Sequence, residues 1–167
     1  MLNRFPFPRR AVLMSIVAIV ALPAYAAIPG QPNSADVKTI DACIADAQAA
    51  RTDPGACIGR ISSNCLEKAS TSAAIEECSN RELLVWEAAL NRDYAQLTGL
   101  LTDDIVKQAL RDAERDFLVA RSKRCSFERI ARQNSPDALV AAARCNVKAT
   151  AQQDLWLLDQ INSIKPH

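Results

Sequence analysis

Apolar residues recur three and four positions apart along most of the chain, the spacing of one face of an α-helix. Val37, Ile40, Ile44 and Ala47 predict a first helix, with Ser34 as its N-cap and an end near Arg51. Asp53-Pro54 supplies a cap and a first-turn proline for a second helix carrying Ile58, Ile61 and Cys65, which the Ser70 to Ser72 stretch breaks. Ser79 and Glu82 stand three apart just before an apolar run, the spacing of a capping box, and predict the start of a long helix. Its stripe is Leu83, Trp86, Leu90, Tyr94, Leu97 and Leu101. Gly99 and Thr102-Asp103-Asp104 predict a stop and restart. Val106, Leu110, Ala113, Phe117 and Ala120 carry the pattern on, and Arg121, Lys123 and Arg124 are placed to close that helix at its negative end. Asn134-Ser135-Pro136-Asp137 is a further cap, and Val140, Ala143, Val147, Ala151, Leu155, Leu158 and Ile161 form the last stripe. No segment alternates with period two for more than a few residues. The fold class is therefore all-α, a disulfide-stapled helical bundle or helical-hairpin array of four to six helices.

The first 26 residues depart from this pattern. Arg4, Arg9 and Arg10 precede an apolar run from Ala11 to Leu22, and Pro23-Ala24-Tyr25-Ala26 follows, which is the layout of a secretory signal peptide cut after Ala26. The run is shorter than the roughly 20 residues that span a bilayer, so no stable membrane anchor is expected after cleavage. The expected organisation is a signal peptide at 1–26, a flexible leader at 27–33 and a single helical domain at 34–165, with a periplasmic or secreted destination.

Export changes the reading of the six cysteines. In an oxidising compartment Cys43, Cys57, Cys65, Cys78, Cys125 and Cys145 read as a disulfide framework, and no Cys-x-x-Cys spacing points to redox catalysis or a zinc ribbon. Cys57 and Cys65, placed on one predicted helix, would lie about 12 Å apart along its axis, beyond the roughly 7 Å limit for bridging. The favoured pairing is therefore local: Cys43 with Cys57, Cys65 with Cys78, and Cys125 with Cys145. Crossed pairings among the first four stay open.

Charge and composition exclude more than they assign. The one histidine is His167, which removes Ser-His-Asp triads, Cys-His pairs and histidine-rich metal sites. No catalytic residue, cofactor site or metal site is expected. Glu76-Glu77 and Asp103-Asp104 sit at expected helix starts, where ionised carboxylates are stabilised, the wrong direction for an acid catalyst. After residue 26 the chain is slightly acidic, and nucleic acid is a poor partner. Residues 27–104 hold 6 basic and 12 acidic side chains, whereas 105–167 hold 11 and 7.

A resemblance follows from CLEKASTSAAIEEC at Cys65, SNRELLVWEAALNRDY after it, LRDAERDFLVARSKRC ending at Cys125, and Cys145 with Thr150 five residues on. Over about 65–155 the chain resembles the LprI-type lysozyme inhibitors, a family of small exported bacterial proteins. Its marks here are the Cys65 to Cys78 spacing, Glu82-Leu83, Leu90-Asn91-x-x-Tyr94, Arg121 and Cys125. The family usually shows Gln and Trp at the positions of Glu114 and Phe117, an acid at Ser122, and Arg at Gln153. The resemblance implies an exported, non-enzymatic protein with at least two bridges, and a lysozyme as the partner to expect.

Two charged regions are candidates for contact. Arg121, Lys123 and Arg124, with Arg129 and Arg132, form a cluster suited to an anionic partner, whether the catalytic acids of a c-type lysozyme, another envelope protein or an anionic glycan. With the turn Asn134, Ser135 and Asp137 they make the expected partner-binding end, tethered by Cys125 to Cys145. The acidic half is placed to steer a cationic protein. Trp86 and Tyr94 are expected in the core.

Overall fold

The computed structural model describes residues 31–133 and 135–164. The expected signal peptide with its cleavage after Ala26, the first part of the expected leader, Asn134 and the last three residues lie outside the described residues. Within them the chain forms five α-helices and one 3-10 turn, with no strand, as the apolar periodicity predicts. These are α1 (Ser34–Ala50), a 3-10 turn (Pro54–Cys57), α2 (Arg60–Leu66), α3 (Ser72–Leu100), α4 (Asp104–Ile130) and α5 (Asp137–Ile164). None of the described helices is long and apolar enough to cross a membrane.

Local chemistry accounts for most boundaries. The Asn33 side chain accepts from Ala35 N at 2.8 Å and caps α1, so the cap falls one residue before Ser34, which is the first helical residue. Arg51 ends α1 in the left-handed conformation at φ 55°, a position that favours glycine. Asp53 caps the 3-10 turn through Gly55 N, with Pro54 in its first turn. The backbone then breaks at Gly59, whose φ of 92° suits only a residue without Cβ, and α2 begins after it. Cys57 and Cys65 therefore do not share a helix, contrary to the sequence reading. Asp103 caps α4 by accepting from Ile105 N and Val106 N.

The capping box predicted at Ser79 and Glu82 is not one. α3 starts at Ser72 with Thr71 as its cap, and Ser79 and Glu82 lie buried inside the helix. Glu82 caps a different helix. Its carboxylate accepts from Gly59 N at 2.6 Å, Ser62 N at 2.8 Å and Ser62 Oγ at 2.8 Å, filling the orphan donors at the start of α2, and also accepts from Trp86 Nε1 at 3.0 Å. A buried carboxylate is tolerable here because four donors surround it.

α5 is the central element and packs against both α3 and α4. Cys125 to Cys145 and Glu114 to Gln153 fix α4 antiparallel to α5, while the two apolar clusters run in the same sense along α3 and α5. One cluster joins Ile40, Ile44, Ile61, Val85, Trp86, Val147 and Ala151, so the short helices sit on one end of α3 and α5. The other joins Leu90, Leu97, Leu110, Leu157 and Ile161 towards the far end. Trp86 is fully buried, as expected, whereas Tyr94 is only half-buried at the edge of the second cluster.

All three bridges follow the local pairing. Cys43 pairs with Cys57 (Cα separation 5.9 Å), Cys65 with Cys78 (5.5 Å) and Cys125 with Cys145 (5.4 Å), and no cysteine is free. Each ties one helix or turn to the next, and loops of 13 to 20 residues are worth roughly 3 kcal/mol each in the chain-entropy account.

Candidate functional site

α4 runs six residues beyond Arg124, the last of the three cations expected to close it, so Arg121, Lys123 and Arg124 lie inside the helix and point in different directions. Arg121 faces inward. Its Nη1 donates to Thr150 Oγ1 at 2.7 Å and Glu87 Oε1 at 3.2 Å, its guanidinium lies 5.7 Å from the Phe117 ring centroid, and its side chain is 20% exposed. One side chain thus links α4 to α3 and α5. Lys123 and Arg124 are exposed.

Arg124 opens onto a groove of about 700 Å³ between α4 and α5, lined also by Glu128, Arg132, Asp137, Arg144 and Lys148. Arg132 is paired with Glu128 at 2.6 Å, but Arg124, Arg144 and Lys148 have no ion-pair partner among the described residues. Arg144, Lys148 and Gln152 stand four apart on α5 and form a ridge between this groove and a second of about 770 Å³, lined by Ser62, Ser63, Leu66 and Leu155. Of the predicted turn, Ser135 and Asp137 are exposed beside the groove, Ser135 closing the turn through its backbone to Arg132 O and Ala138 N. The structure therefore brings Arg124 and Asp137 together, and adds Arg144 and Lys148, which sequence reading passed over. Their i, i+4 spacing on one helix was the available signal.

A further cleft, of about 550 Å³, separates α3 from α4 on the other flank of α4. Arg115 lines it while Arg124 lines the basic groove, and nine residues place the two half a turn apart around the helix. Leu90, Tyr94 and Leu118 supply its apolar surface, and Glu87, Asn91, Arg111, Glu114 and Arg121 its polar rim. Gln153 donates to Glu114 at 3.0 Å across the α4 to α5 contact. Positions 114 and 153 both depart from the pattern noted above, and here they meet as one complementary pair.

Three more buried acids, Asp36, Asp93 and Asp154, complete the polar inventory. Asp36 is neutralised by Arg81, which grips it through two hydrogen bonds of 2.6 and 2.7 Å and whose own pKa is raised by that contact. Asp154, fully buried on α5, has both carboxylate oxygens without a hydrogen-bond partner. Burial first, and then the negative charge of neighbouring Asp93, push its pKa up to about 8, against a smaller opposing pull from Arg92 and with Asp41 adding to the rise. Asp93 is itself held by Arg92 at 2.8 and 3.3 Å. The hydrogen bond open to Asp154 is one to the Asp93 carboxylate, which requires a proton between them.

The profile of the family described as Lysozyme inhibitor LprI matches residues 63–157. The chain is also 32% identical over 132 residues to an uncharacterised 17.7 kDa protein from the 5' region of puhA in Rhodobacter capsulatus, covering 68% of this chain and 81% of that protein. No solved structure matches.

Proposed function

The chain belongs to the LprI lysozyme-inhibitor family, and from that premise we propose that it is an exported binding protein that occludes the active-site cleft of a lysozyme and does no chemistry of its own. The family match over residues 63–157 is the observation that carries the reading. Three disulfides in a chain of this size fit an oxidising, extracytoplasmic compartment. In this reading residues 1–26 are a signal peptide, 27–33 a leader and 34–165 the inhibitory domain.

The contact is assigned to the α4 to α5 end. Lys123 and Arg124 are exposed cations, Ser135 and Asp137 are exposed at the start of α5, the contact is proposed to include Asn134 between the two helices, and the Cys125 to Cys145 bridge ties those helices together. A muramidase cleft carries carboxylates, and cations presented on a rigid support meet them with little ordering cost. The acidic half of the chain suits a cationic c-type lysozyme and raises the rate of encounter.

The test is a lysis assay in which the oxidised chain is titrated into c-type lysozyme acting on a bacterial suspension. Inhibition saturating near one-to-one, weakened when Lys123→Glu and Arg124→Glu are combined, supports the reading. Absence of inhibition at large excess defeats it. Arg121 is unsuited to this test, because replacing it breaks contacts with Glu87 and Thr150.

The unpaired Arg124, Arg144 and Lys148 favour a second reading, an envelope module that binds an anionic glycan or another envelope protein without affecting lysozyme. Salt-sensitive co-sedimentation with cell-wall sacculi, in a protein that does not inhibit lysis, would select it.

A further inference from the structure

We propose that the cleft between α3 and α4 is a saccharide site that holds one pyranose ring at the end of a glycan chain. Its volume of about 550 Å³ lies within the range of small-ligand sites, roughly 300 to 1,000 Å³. Its floor is apolar, made by Leu90, the Tyr94 ring and a Leu118 that is 43% exposed. Its rim mixes donors with acceptors: Arg111, Arg115, Arg121 and the Asn91 amide stand beside Glu87 and Glu114.

That mixture selects the ligand. The rim is mixed in sign, Arg111, Arg115 and Arg121 standing beside Glu87 and Glu114, so a polyanion would meet carboxylates as well as arginines, and an apolar molecule would strip water from charged side chains without replacing it. A sugar ring has apolar faces for the Tyr94 and Leu118 side, and its hydroxyls both donate and accept, so the same ring satisfies arginine and carboxylate. A peptide backbone offers one donor and one acceptor per residue and matches so dense a rim less well.

Two further features mark the cleft as prepared for a ligand. Arg121 is fixed by Thr150, Glu87 and Phe117, so its remaining N–H donors are aimed before anything binds. Asn91 is exposed near the middle of α3, a place where asparagine is unfavourable relative to alanine, and no hydrogen bond engages its amide among the described residues. Folding gives Asn91 no task, whereas a ligand in the cleft does.

This inference stands apart from lysozyme inhibition, which was assigned to the opposite flank of α4. The test follows the amide and methyl NMR signals of the oxidised chain as the β-linked trisaccharide of N-acetylglucosamine is added to millimolar concentration, with triglycine as the comparison. Saturable shifts at the Asn91 side-chain amide, Tyr94 and Leu118, insensitive to salt, are expected. Asn91→Ala, which keeps the fold and by helix propensity raises the melting temperature slightly, should weaken binding by about fivefold, the value of one hydrogen bond. Tyr94→Leu should weaken it as well. No saturable shift, shifts centred on Arg124 and Arg144, tighter binding of triglycine, or unchanged affinity in Asn91→Ala would each overturn the proposal. Lysis inhibition by Asn91→Ala reports separately on the inhibitor reading and is expected to match that of the unaltered chain.

Discussion

Replacing Asp154 by asparagine should stabilise the protein at alkaline pH and flatten its pH dependence. In the folded chain the Asp154 carboxyl holds its proton to a pH of about 8, whereas in the unfolded chain it releases it at 3.8. Between those values the unfolded state binds fewer protons than the folded one, so stability is fully present below pH 3.8 and is lost as the pH rises towards 8. The interval is about 4 pH units, and at 1.36 kcal/mol per unit the ceiling on that loss is about 5 kcal/mol. Relaxation and water entry around the carboxylate lower it, leaving an expected loss of about 2–4 kcal/mol. Burial is the first cause of the raised pKa; the groups that act on Asp154 are Asp93 and Arg92 on α3 and Asp41 on α1, and among them the largest repulsion is with Asp93, which Arg92 offsets only in part. An asparagine amide donates to Asp93 without needing a proton. Urea unfolding with the disulfides intact, followed from pH 4.5 to 8.5, should show the unaltered chain weakening steadily and Asp154→Asn holding level, with the variant the more stable of the two at pH 8.5. A variant that keeps the original slope, or that is less stable at pH 8.5, would refute the assignment of that slope to the Asp93 and Asp154 pair.

Glu82→Ala should cost about 3 kcal/mol, because it strands the buried Trp86 donor and the half-buried donors of Gly59 and Ser62; Glu82→Gln, which keeps one acceptor, should cost about half as much, both read by denaturant titration. Removing the Cys125 to Cys145 bridge with paired alanines should cost roughly 3 kcal/mol by the same measurement. Arg51→Gly should stabilise the chain by about 1 kcal/mol in thermal unfolding, since the left-handed backbone there suits glycine.

The periodicity of apolar residues revealed the helices because it reports which face each one buries, and that face is decided locally. The disulfides were legible for a related reason: every bridge links neighbouring elements, so the pairing survived even though Gly59 separates Cys57 from Cys65. Interactions between residues distant in sequence were not legible. Ser79 and Glu82 have the spacing of a capping box, yet the donors Glu82 serves lie 20 and 23 residues earlier, and packing rather than local chemistry selects them. Arg121 reads as one more surface cation until α3 and α5 bring Glu87 and Thr150 to it. The Asp93 and Asp154 pair and the α3 to α4 cleft likewise exist only once α5 is seated between its neighbours. The basic end was partly legible: Arg124 and Asp137 stand together as expected, but Arg144 and Lys148 joined them from a stripe read for its apolar face alone.

Sedimentation of the oxidised protein mixed with c-type lysozyme tests directly whether this chain binds a lysozyme, without relying on lysis as a readout. A one-to-one complex is expected at low salt, weakened but not abolished at physiological salt, and weakened further by Lys123→Glu with Arg124→Glu. Two species sedimenting independently at every ratio and at both salt concentrations would contradict it.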